Sequence, residues 1–168
     1  MKMKIKKALI YSLLLISSSS YAKTYIFMDI DNTLFKNGKP IHEMIEKTKE
    51  LQKQEDVELF FLSGRNKSES LFSQIQEWLK NQNLSNTDTH LILKPKTEFN
   101  TAKFKYNFVV KQLKLKDSDF AIIVDDNKNN FKHFREPNVK TITVQSGKYK
   151  EAVDEIVEVL ASVKNRNE

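Results

Sequence analysis

Thr24-Tyr25-Ile26-Phe27-Met28-Asp29-Ile30-Asp31-Asn32-Thr33-Leu34 is the stretch that decides the fold. Its apolar run, ending at Asp29, reads as a buried strand with carboxylates at its carboxyl end. Outward from it, Val57–Leu62, His90–Leu93, Phe120–Val124 and Thr141–Val144 are further apolar runs of strand length. Between them lie segments with helical spacing. Residues 41–54 carry Ile41, Met44, Ile45, Thr48 and Leu51; residues 67–80 carry Leu71, Ile75, Trp78 and Leu79. Residues 102–115 carry Phe104, Phe108, Val109 and Leu113; 127–134 reads as a short helix and 149–163 as a closing one. Continuous apolar runs alternating with amphipathic helices predict an α/β domain with a five-stranded parallel sheet covered on both faces. In such a sheet ligands sit at the carboxyl ends of the strands.

The chain has 168 residues, a one-domain length, with 28 Lys and Arg against 22 Asp and Glu, a formal +6. Lys2, Lys4, Lys6 and Lys7 contribute four of those charges, so residues 23–168 are only +2. Basicity is therefore a poor argument for nucleic-acid binding. With no Cys there is no disulfide, thiolate metal site, cysteine nucleophile or lipid attachment through cysteine. Lys2–Lys7 form a positive start, 8–16 a short apolar run, and Ser20-Tyr21-Ala22 puts small residues at −3 and −1 of a cleavage site. Residues 1–22 are thus expected to be a secretory signal peptide, cleaved after Ala22, that sends a bacterial protein to the periplasm or the medium. The apolar run of nine residues is too short to span a bilayer, which takes about 20. No stable membrane anchor is expected. Residues 23–168 form the single domain.

Polar residues stand at the strand ends. Asp29 and Asp31 come after the first strand, Ser63-Gly64-Arg65 after the second and Asp125-Asp126-Asn127 after the fourth, with Lys94, Lys96, Lys103 and Lys105 between the third and the fourth. Four carboxylates converging on one edge repel one another unless a cation joins them. An all-oxygen set without His suits a hard ion such as Mg²⁺. Asp29 and Asp31 are two apart, so in extended backbone both point to one side. One can attack phosphorus and the other can protonate a leaving oxygen. Ser63 and a lysine offer a hydroxyl and a fixed positive charge to phosphoryl oxygens.

Asp29-Ile30-Asp31-Asn32-Thr33-Leu34 resembles motif I, DxDxT, of the haloacid dehalogenase superfamily of phosphohydrolases. Ser63 matches motif II, and Asp125-Asp126 the double-Asp form of motif IV. The resemblance covers residues 24 to about 145. It implies a Rossmann-like fold and a Mg²⁺-dependent phosphomonoesterase. Asp29 is then the nucleophile and a metal ligand, and Asp31 the acid/base that reaches the metal through its backbone carbonyl. Asp126 is the third protein ligand; Asp125 is a ligand through water or a partner of the lysine. For motif III the choice is Lys105, with Lys103 in reserve. Ser63, Gly64, Arg65 and Lys105 are the substrate-binding candidates, and Thr33 is expected to brace the motif I loop by hydrogen bonding. The chain is most similar to small capless members, such as the phosphatase domains of polynucleotide end-repair enzymes.

Plainer readings stand beside these. Arg65 contacts substrate phosphate or is a solvated turn residue. His42, His90 and His133 are scattered and not expected as ligands. Trp78 reads as core, and Asn127 as the cap of a short helix. Leu34–Asp56 holds only a turn and a helix, and Arg65–Thr101 only a helix and a strand, so no cap domain fits. An open site suits a phosphomonoester on a large partner, a nucleic-acid end or a phosphoprotein. Lys94, Lys96, Lys103, Lys105 and Arg65 are expected to form a patch beside it. Alternatives are a small-nucleotide acid phosphatase closed by oligomerisation and a metal- or phosphate-binding protein without turnover. A receiver-like signalling domain fits less well, because its phosphoacceptor Asp comes after the third strand, which here ends Leu93-Lys94-Pro95.

Overall fold

The computed structural model describes residues 22–84 and 90–166. All of the expected signal peptide except Ala22 lies outside the described residues. Strand β1 (Thr24–Met28) leads into a hairpin flap of β2 (Phe35–Lys36) and β3 (Lys39–Pro40), then α1 (His42–Leu51). β4 (Val57–Asn66), α2 (Glu69–Asn81) and β5 (His90–Lys94) come next. They lead to α3 (Thr101–Tyr106), continued by a π-helical segment (Asn107–Gln112), and β6 (Phe120–Asp125). A 3₁₀ turn (Lys128–Phe131), β7 (Val139–Thr143) and α4 (Tyr149–Lys164) close the chain.

The five main strands form one parallel sheet in the order β5-β4-β1-β6-β7. β1 is central and all its residues but Tyr25 are buried, which is why its sequence lacks polar alternation. Its side chains still divide between two cores. Ile26 and Met28 pack with Met44, Ile45, Ile75 and Ile156 of α1, α2 and α4. Phe27 packs on the opposite face with Phe104, Val109 and Phe134. The chain leaves β1 toward β4 and β5, then returns to place β6 and β7 on the other side. The carboxyl ends of β1 and β6 therefore border the crevice where the strand order reverses, the usual ligand position in such sheets.

Several elements differ from their expected extents. The turn after motif I is a true hairpin, with Asn37 (φ 52°) and Gly38 (φ 74°) as its loop. Positive φ at both suits a two-residue I′ turn, a conformation that Asn and Gly tolerate. β4 runs four residues past Leu62, because a bulge between Ser63 and Asn66 lets it pair again with β5. The helix expected over 102–115 is α-helical only to Tyr106; beyond it the Leu113 amide bonds back five residues to Phe108. Among the described residues no helix is long and apolar enough to cross a membrane.

Candidate active site

Asp29 stands immediately beyond β1, its amide donating to the Val124 carbonyl at 2.9 Å. That bond sets the end of β1 against the end of β6, so Asp29 meets Asp125 and Asp126. One carboxylate oxygen from each of the three lies within 4.8 Å of the others. Lys105 enters from α3, and its ammonium donates to Asp29 Oδ1 and Asp125 Oδ2, both at 2.5 Å. The Lys105 side chain is only 2% exposed. A buried ammonium is costly unless paired, and two carboxylates supply the pairing.

Asp125 is held most fully. The Asn127 amide donates to Oδ1 at 2.9 Å, and the Asn130 side chain donates to Oδ1 at 3.1 Å and to Oδ2 at 2.9 Å. With Lys105 added, Asp125 acts as the partner of the lysine. Asp126 is half-buried and accepts one side-chain bond, from Asn32 at 3.1 Å. Burial, assisted by Asp125 and Asp31, pushes the Asp29 carboxyl up to about 7, against the pull of Lys105. Burial raises Asp126 as well. Burial alone would lower Lys105, but Asp29 and Asp125 outweigh it and hold the ammonium above its ordinary 10.5.

These groups fit a divalent cation. With all three carboxylates ionised, the one ammonium leaves the cluster two charges negative. The donors are all oxygen, and Asp29 Oδ2 accepts no hydrogen bond among the described residues. A hard ion suits such a set, and a pair of carboxylates pushed toward neutrality is relieved by one.

Asp31 departs from the expected convergence. Its carboxylate is not in the three-oxygen group; it faces Arg65, which forks onto it from Nε at 2.7 Å and from Nη2. The backbone turns at residues 30–35, so the two-residue alternation of an extended strand no longer applies. Ser63 is fully buried within β4, just before its bulge, and its hydroxyl accepts from the Arg65 amide at 3.2 Å. Gly64 lies against α3: a Cβ there would stand 2.5 Å from Thr101 Cγ2. Asn127 both donates to Asp125 and caps the 3₁₀ turn, accepting from the Asn129 amide at 3.1 Å.

Other expectations are corrected. The Thr33 hydroxyl is buried without a hydrogen-bond partner among the described residues. Backbone bonds close the motif I loop instead, from Asn32 to Phe35 (2.7 Å) and from Leu34 and Phe35 to Ile30 (3.0 and 2.9 Å). The lysine patch does not assemble. Lys105 and Arg65 are ion-paired, while Lys94 is buried and donates to the Asn66 side chain and the Glu98 carbonyl. Lys96 and Lys103 remain exposed. Of the histidines, His90 stacks on Phe60 with centroids 4.5 Å apart, and none joins the carboxylate group. Asn130 and Asn32 are site residues that sequence reasoning does not find. Their one signal is nearness to the motif aspartates, in a stretch where Asn is also ordinary loop chemistry.

No protein-family profile matches the sequence, and no curated protein matches it. Solved structures are similar in fold. A chain of the Pnkp1/Rnl/Hen1 complex is 16% identical with a TM-score of 0.57, over 73% of this chain and 46% of that one. The HAD domain of effector protein Lem4 from Legionella pneumophila is 16% identical with a TM-score of 0.54, over 82% of this chain and 95% of that domain. This chain thus spans about half the length of the Pnkp1-complex chain and nearly all of the Lem4 domain. The five-stranded parallel sheet in the order β5-β4-β1-β6-β7, with helices on both faces and no cap domain among the described residues, is the fold of a HAD, or haloacid dehalogenase-like, domain.

Proposed function

We propose that this chain is a Mg²⁺-dependent phosphomonoesterase that works through an aspartyl-phosphate on Asp29. The observation that carries the reading is Asp29 itself. It is a buried carboxylate at the topological switch point, held on one oxygen by Lys105 and beside Asp125 and Asp126. Asp29 and Asp126 would hold the cation, with Asp125 orienting Lys105. When bound, the ion neutralises phosphoryl charge and keeps Asp29 ionised. Asp29 attacks phosphorus; its oxygen bonds to phosphorus as the ester oxygen leaves. Asp31 donates a proton to that oxygen, then takes one from the water that attacks the acyl phosphate, releasing inorganic phosphate and free Asp29. Lys105 and the Ser63 hydroxyl serve the phosphoryl oxygens.

The open edge supports a substrate whose phosphate is carried by a large molecule, and the resemblance to end-repair phosphatase domains favours a nucleic-acid end. Export to the periplasm or medium belongs to the same proposal and rests on residues 1–22. Mass spectrometry of the exported protein should find Lys23 first, and an intact Met1 would overturn it. The deciding experiment for the activity is turnover of an aryl phosphate with and without Mg²⁺. Expected is Mg²⁺-dependent release of phosphate, abolished in a folded Asp29→Asn protein, a loss on the order of several kcal/mol of transition-state stabilisation. Cation binding without turnover would instead leave a binding protein.

A further inference from the structure

The bulge in β4 sets Ser63 opposite Leu93 but Asn66 opposite Lys94, so Gly64 and Arg65 have no partners of their own on β5. A bulge re-aims the side chains it carries. Here it accompanies an Arg65 whose guanidinium reaches the motif I loop, with Nε donating to Asp31 Oδ2 at 2.7 Å and Nη2 to Oδ1. Trp78 of α2 lies beneath, its ring centroid 5.6 Å from the guanidinium carbon. Trp78 in turn packs on Phe35 of the flap, with centroids 5.5 Å apart. Phe35 bridges back to Asp31 in the backbone. The four residues close a circuit in which an aromatic face supports a planar cation, and the cation fixes both oxygens of a carboxylate.

We infer that Arg65 and Trp78 are positioning residues for Asp31, Arg65 by direct contact and Trp78 through Arg65. This rests on the phosphatase reading and assigns Arg65 to Asp31 rather than to substrate phosphate or solvent. Asp31 is half-exposed at a turn, where an unsupported carboxylate would sample several rotamers. The fork restricts it to one. Either oxygen keeps a lone pair outside the fork, which can take up a proton and pass it to the leaving oxygen. Only a planar fork provides this, so lysine at 65 would keep the charge and lose the orientation. At 78 a flat ring is needed, so Phe should serve and Leu should not.

The test uses two readouts on full-length Trp78→Phe, Trp78→Leu and Arg65→Lys proteins. The first is the Arg65 Nε–H resonance in ¹⁵N NMR, which needs no activity. Expected is slow solvent exchange in the parent and in Trp78→Phe, and fast exchange in Trp78→Leu. The second is kcat/KM across phosphate esters of graded leaving-group pKa. Trp78→Leu and Arg65→Lys should lose about three- to tenfold on alkyl esters and stay within about twofold on nitrophenyl phosphate, because a nitrophenolate hardly needs a proton. Equal losses on every ester, or undiminished Nε–H protection in Trp78→Leu, would overturn the inference. If Trp78→Leu does not fold, Arg65→Lys decides by the same ester series. A parent protein inert on every ester refutes the phosphatase reading instead, and the NMR comparison still decides whether Trp78 holds Arg65 on Asp31.

Discussion

Asp125 and Asp126 are neighbours of the same residue type with opposite surroundings. Asp125 accepts from Lys105, Asn127 and Asn130 and is fully buried; Asp126 is half-buried and accepts from Asn32. Removing one partner of a buried charge pair costs about 3–5 kcal/mol. Asp125→Ala should therefore lower stability by that order, with Lys105 left on Asp29 alone. Asp126→Ala should fold nearly normally and lose divalent-cation affinity, since its carboxylate faces the site and, among the described residues, accepts one side-chain bond. Thermal unfolding and a cation titration on both variants check the pair, and the reverse ranking would exchange the two assignments. The family resemblance already gave the two aspartates different roles, Asp126 as a direct ligand and Asp125 as a ligand through water or the lysine's partner, but residue type and spacing alone did not separate them. The distinction comes from Asn130 and Lys105, five and 20 positions from Asp125, brought in by the 3₁₀ turn and by α3.

At the scale of elements, the contact between β4 and α3 sets the lysine. Asn100 caps α3, its side chain accepting from the Lys103 amide at 3.0 Å, and Thr101 lies against Gly64. Lys105 stands about one turn later. A methyl at 64 would overlap Thr101 Cγ2 at 2.5 Å and press the start of α3 away from the sheet. Gly64→Ala is expected to cost about 1–3 kcal/mol through overpacking and to reduce turnover by displacing Lys105. Thr101→Ser removes the opposing methyl, so the double variant should recover much of both losses. Unfolding and aryl-phosphate assays on the single and double variants measure this; no recovery would place the fault elsewhere. The π-helical continuation of α3 could not be read from sequence. Phe104, Phe108 and Val109 keep an apolar face in either helix type, so periodicity does not register the change.

For the whole molecule, the Asp29 shift couples folding to pH and cation. Its carboxyl sits at about 7 in the folded chain against an ordinary 3.8, so the folded state binds that proton more tightly. Without cation, its contribution to stability is largest below about pH 4 and is lost as pH rises to about 7. A divalent cation replaces the proton. The gain in Tm on adding Mg²⁺ should therefore be larger at pH 8 than at pH 5; a larger gain at pH 5 would contradict the coupling. Charge at the sheet edge gives a second expectation. A cavity of about 570 Å³ lies between the flap and the β7–α4 loop, lined in part by Lys36 and Lys39. Neither lysine has an ion-pair partner among the described residues, and Lys36 reaches Ser146 at 2.8 Å. Both lysines are exposed. A phosphorylated oligonucleotide should outcompete the matching mononucleotide at low salt and lose that advantage at high salt. Lys36→Ala/Lys39→Ala should weaken the advantage, and a rate for either substrate that ignores salt would argue for a small phosphomonoester.

Sequence by itself determined the α/β class, the five strands, the amphipathic helices and the residues at the strand ends. Burial on both faces forces the strands to be apolar runs, and the motif residues are contiguous or nearly so, as in Asp29-Ile30-Asp31 and Asp125-Asp126. Tertiary structure decided how those residues divide. Lys105 is directed to Asp29 while Lys103, two positions earlier, faces solvent, because helical geometry turns them about 200° apart. Lys94, chemically the same, is turned inward to brace a loop. Asp31 belongs to Arg65 through a bulge that composition and periodicity do not encode. Residue type announces the chemistry available. Orientation depends on turns, bulges and partners distant in sequence, and only the folded chain brings these together.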